Sequence, residues 1–542
     1  MMKLLYGIIF CWLVTLPACN NAVDPVAVKH RLIHNNDGTE ILGNNWFGQR
    51  PLTLDDVNRY VDMIANSQVT TFMICSGSDF FYYRSKYGSI MGDDKNGKLD
   101  CGKNTALYNT LRRFYQNAMA LDKQGTDIIE ATLKRAKEKK LEAFITYRMN
   151  DLHFADTSVG CPLQYGEFWK EHPQYWTNDT TLNGWNAGSA FDFAHPEVRE
   201  YKLNIIKEQL EKYGALTDGY ELDFMRFIVY FKKGEAEKNA PLITELVQAV
   251  KNIADSVGKL HNKKILLTAR IPATINDCKK KGLDVQEWVK RGLLDFITLG
   301  VHWRGEPAMP VAEFKKQSGF EIPVYASLDD GTYDPREVYS HGMYRGMASH
   351  AMAQGAAGAY LFNYFLTAYN EAGQKLKPEE GTLVCRTIAP ELLQELGSLE
   401  TLRKRNKVYM LSDGATSYDL TPNSQLPLPV QQNAATGIFV GDDVNTEQPK
   451  EVILFIRTNT KDSFSVSMNG HALLHTNTDY PRLYDKLRGI NDRQKVTAFI
   501  IPVNAIMQGN NKIAFSSSAD GLVVQRIELA LKYGPVEACG YF

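Results

Sequence analysis

The sequence lacks most of the features that would place it quickly. Its 61 Lys+Arg stand against 62 Asp+Glu, a formal charge of −1. A balance so close to neutral offers no net attraction for nucleic acid or an anionic membrane surface, so no nucleic-acid partner is expected. The eight cysteines contain no C-x-x-C pair, which argues against a zinc ribbon. No H-E-x-x-H occurs, and the first apolar run leads into His34-Asn35-Asn36-Asp37-Gly38 rather than a Gly-rich turn. Zincin and dinucleotide-binding fingerprints are therefore missing, and neither a cofactor nor a resident metal is expected. Past the N-terminus no apolar run reaches the ~20 residues of a membrane-spanning helix. No repeat at solenoid spacing is visible. With 44% hydrophobic and 23% charged residues, the chain has ordinary globular composition, not that of a disordered one.

What is present begins with length. The 542 residues exceed a usual single domain. At the N-terminus, Lys3 precedes an apolar run from Leu4 to Leu16, the length of a signal-peptide core and too short for a comfortable span. Leu16-Pro17-Ala18-Cys19 follows and resembles the bacterial lipobox. Residues 1–18 thus read as a lipoprotein signal peptide, Cys19 as the lipidated residue and 19–27 as a tether. The bland alternative is an ordinary secretory signal. Export to a bacterial membrane, on its periplasmic or outer face, is expected, and an oxidising compartment permits disulfides. Cys101 and Cys161 lie in polar stretches and are the expected pair.

From residue 28 to about 370 short apolar runs alternate with amphipathic stretches, the pattern of βα units. Eight runs begin near Arg31, Thr70, Glu142, Gly219, Ile265, Phe296, Val324 and Ala359. Helical spacing covers 54–67, 125–140, 195–213, 240–260, 284–292 and 342–355. Eight strands with helices between them predict an α/β fold, a (β/α)8 TIM barrel over 28–400. A doubly wound open sheet is the structural alternative. Residues 402–407 read as a charged hinge. Beyond it, short strands near 451–456, 463–468, 496–503, 512–515 and 522–531 predict an all-β sandwich over 401–542. Asn469-Gly470 is a strong hairpin signal and 508–511 a second turn. Asn469, Gly470, His471 and Tyr480 lie in loops that face either a ligand or the barrel, and bracing is the favoured role.

In such a barrel the site forms at the C-terminal ends of the strands. The fourth strand is the most informative, Gly219-Tyr220-Glu221-Leu222-Asp223-Phe224. Residues two apart on a strand share a face, so Glu221 and Asp223 point together into the barrel. Like charges so placed raise a pKa or require a cation, and Arg226 is near enough to serve. The bland reading is a buried ion pair. Other polar strand ends are His34 and Asn35 on the first, Arg148, Asn150, Asp151 and His153 on the third, and Arg270 on the fifth. His302 and Trp303 end the sixth, Asp329 and Asp330 the seventh, Asn363 and Tyr364 the eighth. Trp303, Tyr364 and Tyr147 are the aromatic candidates for stacking. A lone loop His is usually structural, but polar ends on most strands together point to a pocket.

The segment Asp218-Gly219-Tyr220-Glu221-Leu222-Asp223-Phe224-Met225-Arg226 resembles the D-G-x-x-L-D-[aromatic]-x-R segment of the bacterial glycosyl-hydrolase-like ten group, TIM-barrel proteins distinct from the family ten xylanases. Phe193-Ala194-His195-Pro196-Glu197, Tyr147-Arg148-Met149-Asn150-Asp151 and Ala269-Arg270-Ile271-Pro272 are similar to stretches of the same group. The resemblance covers about residues 28–370 and implies hydrolysis of a poly- or oligosaccharide. Two carboxyls then flank the scissile bond, one giving a proton while the other attacks or activates water. Asp223 is expected as nucleophile or base, with Asp329, Asp330 or Asp151 as the partner. Glu221 either tunes Asp223 or is the acid itself. Two rivals remain at this stage: a metal-dependent hydrolase using Glu221, Asp223, His302, Asp329 and His153, and a barrel that only binds glycans.

Overall fold

The computed structural model describes residues 30–43, 50–94, 99, 101–153, 155, 166–184, 186–302, 305–319, 321–329, 339–364, 390–412, 418–421, 424–430, 434–476 and 495–535. The leader and tether with Cys19, and Cys161, Trp303, Asp330 and Tyr480, lie outside the described residues.

Eight parallel strands close a barrel in sequence order: β1 (Arg31–Asn36), β2 (Thr71–Cys75), β3 (Glu142–Arg148), β4 (Gly219–Asp223), β5 (Leu266–Pro272), β6 (Phe296–Gly300), β7 (Val324–Ser327) and β8 (Gly358–Phe362). β8 pairs back onto β1, Arg31 opposite Gly358, so no sheet edge is left. This is the TIM barrel expected from the eight apolar runs, and the open-sheet alternative is excluded.

Side-chain alternation fills the barrel. Ile33, Met73, Phe144, Leu266, Phe296, Tyr325 and Tyr360 form its inner apolar layer. Below them, Arg31 makes a two-bond pair with Glu142 (2.6 and 2.9 Å) and donates to Tyr325 (2.9 Å), plugging the N-terminal end. The larger core lies between strands and helices. Helix Leu54–Ala65 starts on a Thr53/Asp56 capping box, and helix Pro196–Tyr213 places Pro at its first turn, where a missing N–H costs nothing. Helix Thr105–Asp122 was not legible as a helix; its few buried positions leave only a narrow apolar stripe, interrupted by polar residues.

The C-terminal part forms two antiparallel sheets. The first holds β9 (Lys407–Leu411), β10 (Leu428–Pro429), β12 (Glu451–Thr458), β15 (Leu474–Thr476), β16 (Lys495–Ile500) and β18 (Val523–Lys532). The second holds β11 (Ala434–Val440), β13 (Ser465–Met468), β14 (His471–Ala472) and β17 (Gly509–Ser516). They share an apolar core that includes Val440, Leu454, Phe499, Ile513, Phe515 and Leu529. Asn469 and Gly470, at φ of 50° and 87°, form the expected tight turn between β13 and β14.

Two expectations fail here. Residues 509–511 are not a turn; they begin β17 and pair with β11, because Asn510 and Asn511 meet Phe439 and Ile438 in register. Residues 402–407 are not a hinge. Leu402 is buried at the end of a helix and Lys407 opens β9, its ammonium 2.6 Å from Asp442. Of the run's four charges Arg403, Lys404 and Arg405 are exposed and only Lys407 is buried, with a partner that lies 35 residues later. β9 packs on helix His341–Ala353, where Arg345 binds Glu395 (2.6 Å) and Ser349 meets Tyr409 (2.8 Å). The sheets therefore meet the barrel along helix His341–Ala353, between β7 and β8. Cys101 is disulfide-bonded, while Cys75 and Cys278 are buried and free.

Candidate active site

β4 presents Glu221 and Asp223 to the barrel interior, as their i, i+2 spacing requires, while Tyr220 turns outward to donate to Gln209 (2.6 Å). The two acids occupy different rungs. Glu221 is fully buried, and its Oε1 accepts from Tyr360 (2.7 Å), Thr146 (2.8 Å) and Asn35 (3.2 Å). Burial pushes its carboxyl up to about 7, and the Asp223 charge adds to the push. Its Oε2 has no partner among the described residues.

Asp223 sits one rung nearer the mouth. Its Oδ1 accepts from Arg270 Nε (3.1 Å) and from the Met225 backbone N–H (2.8 Å). Arg270 extends across the mouth to Asp329, Nη1 lying 3.5 Å from Oδ1. One buried guanidinium thus holds carboxylates from strands four and seven. Its Cζ lies over the Phe362 ring, 3.8 Å from the centroid, a cation–π contact that helps hold it in place. Asp329 also accepts from Ser327, yet Asp329 Oδ2 has no partner among the described residues. Burial raises the Asp329 carboxyl to about 6, with Arg270 opposing the rise.

A second cluster lines the β3 side. Arg148 donates to Asp151 (2.9 Å) and reaches Asp37 (3.4 Å). Burial alone would raise Asp151, but His153, Arg148 and Arg226 outweigh it and hold the carboxyl far below its ordinary range. Asp151 is therefore a poor proton donor. Arg226 Nη2 donates to His153 Nε2 (2.9 Å), so the neutral ring carries its proton on Nδ1 and gives it to Asp151 Oδ1. Burial, with Arg226 adding to it, depresses His153 despite the Asp151 charge. His302 stands beside them, its ring edge-on to Tyr418 at 4.7 Å, and burial with Arg226 lowers it to about 3. It is neutral at working pH.

Four candidate residues fall elsewhere. His34 and Asn35 are neighbours on β1 and cannot both point inward. Asn35 does; His34 faces the helices, stacked on Phe72 (5.5 Å) with Nε2 against the Tyr364 carbonyl (3.1 Å). Tyr364 is buried on that same outer side, edge-on to Tyr344. Tyr147 likewise faces outward and donates to the Ser78 carbonyl (3.1 Å). Asn150 donates to the carbonyls of Phe191 and Val229, tying two loops together rather than facing the mouth. Asn363 takes a left-handed φ of 51° just past β8, its N–H bonded to Asn35 O (3.2 Å).

Sequence reasoning missed Thr146, Tyr360, Phe362 and Ser327. Each lies two residues from another inward position on its own strand, so carrying the alternation back from the strand end would have found them. Tyr418 had no signal, since it reaches the mouth from the C-terminal part of the chain. Among the described residues no three His, Cys, Asp or Glu side chains converge to hold a metal.

No protein-family profile and no curated protein sequence matches the chain. Solved structures align with it at low identity. One is the glycoside hydrolase domain of PgaB (BpsB) from Bordetella bronchiseptica, at 10% identity and a TM-score of 0.41 over 68% of this chain and 99% of that one. A GH29 alpha-L-fucosidase from Bacteroides thetaiotaomicron is 11% identical, with 92% and 96% covered and a TM-score of 0.37. A glycoside hydrolase family 5 protein from Bacteroides vulgatus is 12% identical, with 90% of each chain covered and a TM-score of 0.35. Similarity at this level does not bear on what this chain does.

Proposed function

We propose that the chain is a glycoside hydrolase acting on a poly- or oligosaccharide at the C-terminal mouth of the barrel. The observation that carries this reading is the pair Asp223 and Asp329 on one buried guanidinium, with burial raising Asp329 to about 6 and leaving its Oδ2 without a partner among the described residues. Two carboxyls with unlike environments are what acid/base cleavage of a glycosidic bond requires. Asp329, protonated, gives its proton to the glycosidic oxygen as the bond from the anomeric carbon to that oxygen breaks. Asp223 either bonds to the anomeric carbon or takes a proton from the water that does. Arg270 touches both and is a positioning residue. Glu221, caged by Tyr360, Thr146 and Asn35, lies beneath Asp223 and is raised to about 7, so it is largely neutral where Asp329 keeps its proton. His153, Arg226 and His302 lie where hydroxyls of the substrate would be gripped.

The β4 segment Asp218 to Arg226 supports the finer placement in the glycosyl-hydrolase-like ten group, because Glu221, Asp223 and Arg226 take positions in or beside this mouth. The test is Asp223→Asn and Asp329→Asn in the full chain, assayed on a glycan panel with product analysis. Each should cut turnover by about 10²–10⁴-fold with the fold retained by circular dichroism. Undiminished turnover in a folded Asp223→Asn variant overturns the assignment. Glycan binding by calorimetry with no hydrolysis of any member would instead make it a surface glycan-binding protein. We also propose that the chain is a lipoprotein anchored through Cys19; labelled palmitate should enter the wild type and not Cys19→Ser, and equal labelling rejects this.

A further inference from the structure

Beside the mouth, on the same C-terminal face, lies a cavity of about 510 Å³. That is within the ~300–1,000 Å³ of small-ligand pockets. Residues 228–231 after β4 give it an apolar wall, and Asn183 from the β3–β4 connection offers an amide. Its charged lining is four lysines, Lys232, Lys233, Lys280 and Lys281, against two acids, Glu237 and Asp419. The lysines are partly compensated, the Asp179 charge acting on Lys233 and that of Asp192 on Lys232, but none is held in a close ion pair among the described residues. Lys232, Lys233 and Lys281 form no ion pair among the described residues, and Lys280 is 3.7 Å from Asp277. Asp419 is occupied by the Asn183 amide (3.0 Å). Lys281 donates to the Tyr418 carbonyl, and burial works against its charge, with Asp419 and Asp277 opposing.

The partition between cavity and mouth is thin. The Tyr418 ring faces Phe227 (6.3 Å) and His302 (4.7 Å) on the mouth side, while its carbonyl accepts from Lys281 and the next residue, Asp419, lines the cavity. Thr421 anchors this short strap to the barrel through two bonds to Asp277 (2.7 and 3.0 Å). A glycan seated over Asp223 and Asp329 therefore passes Tyr418 to reach the lysines.

We propose that this cavity is a subsite for an acidic sugar unit, one bearing a carboxylate or sulfate, and that the protein prefers anionic glycans. The inference rests on the hydrolase reading for its direction, since the same chain would occupy mouth and cavity. The lysines supply the positive field, the wall a surface for a ring face, and Asn183 a hydroxyl partner. The protein's near-neutral total charge is then compatible with an anionic substrate, because recognition depends on this local excess.

The test titrates the full chain by calorimetry with an oligouronate, a sulfated oligosaccharide and a neutral oligosaccharide of equal length. At least one acidic oligomer should bind tenfold or more tightly than the neutral one. Raising salt from about 0.05 to about 0.5 M should remove most of that advantage. Lys232→Ala combined with Lys280→Ala should weaken the acidic ligand about tenfold and leave the neutral ligand unchanged. Whether the uronate or the sulfate arm responds identifies the acid. Equal affinity for acidic and neutral oligomers, or an acidic affinity indifferent to the lysine substitutions, overturns the proposal. The two readings fail separately. Lysine-dependent binding without hydrolysis rejects the hydrolase, whereas hydrolysis without lysine-dependent binding rejects the subsite.

Discussion

Asp329 shows how one residue's environment decides its chemistry. It is enclosed on the end of β7, one oxygen engaged by Ser327 and Arg270 and the other without a partner among the described residues. Burial raises it to about 6, so the protonated form needed of a general acid persists through mildly acidic pH and is lost as pH rises through about 6. Turnover should therefore fall on the alkaline side with a limb near 6, measured as kcat/KM against pH. In Asp329→Asn that limb should vanish along with most of the rate. The residual rate should be highest on aryl glycosides, whose leaving groups need no proton. A limb unchanged in position in the variant would assign the acid elsewhere.

At the scale of elements, helix His341–Ala353 and strand β9 approach so closely that only glycine fits between them. A Cβ on Gly346 would lie 2.0 Å from the Val408 carbonyl oxygen. Backbone cannot yield as a flexible side chain would, so helix and strand must separate. In an unencumbered helix Gly→Ala stabilises by about 1 kcal/mol. Here the sign should invert, with Gly346→Ala costing about 2–3 kcal/mol from overpacking. Denaturant unfolding measures it, and a stabilised variant would show that this contact is looser than the structure has it. The same alternation logic that made Glu221 and Asp223 legible also explains His34. A strand exposes every second residue to the barrel, and a polar residue on the wrong parity serves the shell instead.

For the molecule as a whole, the two C-terminal sheets are tied together beside the barrel by polar groups taken out of water. Lys407 and Asp442 are almost wholly buried, 2.6 Å apart, and Tyr409 and Tyr533 also bond to Asp442. Removing one partner leaves the other charge buried and unpaired. Lys407→Met should cost about 3–5 kcal/mol and lower the Tm by several degrees, read by calorimetry. The double variant Lys407→Met, Asp442→Asn should recover part of that loss, since no bare charge remains. A single variant as stable as the wild type would mean that this buried cluster tolerates the charge by admitting water.

The barrel was legible in the sequence because it is built from local repeats. Each apolar run, its periodicity and the amphipathic stretch after it are set by neighbours in the chain, and all eight runs became barrel strands. The pairing of Glu221 with Asp223 on one face was legible for the same reason. What only the tertiary structure decided was distance across the barrel. Arg270, Asp223 and Asp329 come from three strands, and nothing in their spacing says that one guanidinium bridges the two acids. Nor does local sequence say why Asp151 is held far below its ordinary range while Asp329 rises, or that Tyr418 returns from beyond the barrel to wall its mouth. Hydrophobic periodicity is a property of adjacent residues, whereas charge compensation and burial depend on residues brought together by closure of the sheet.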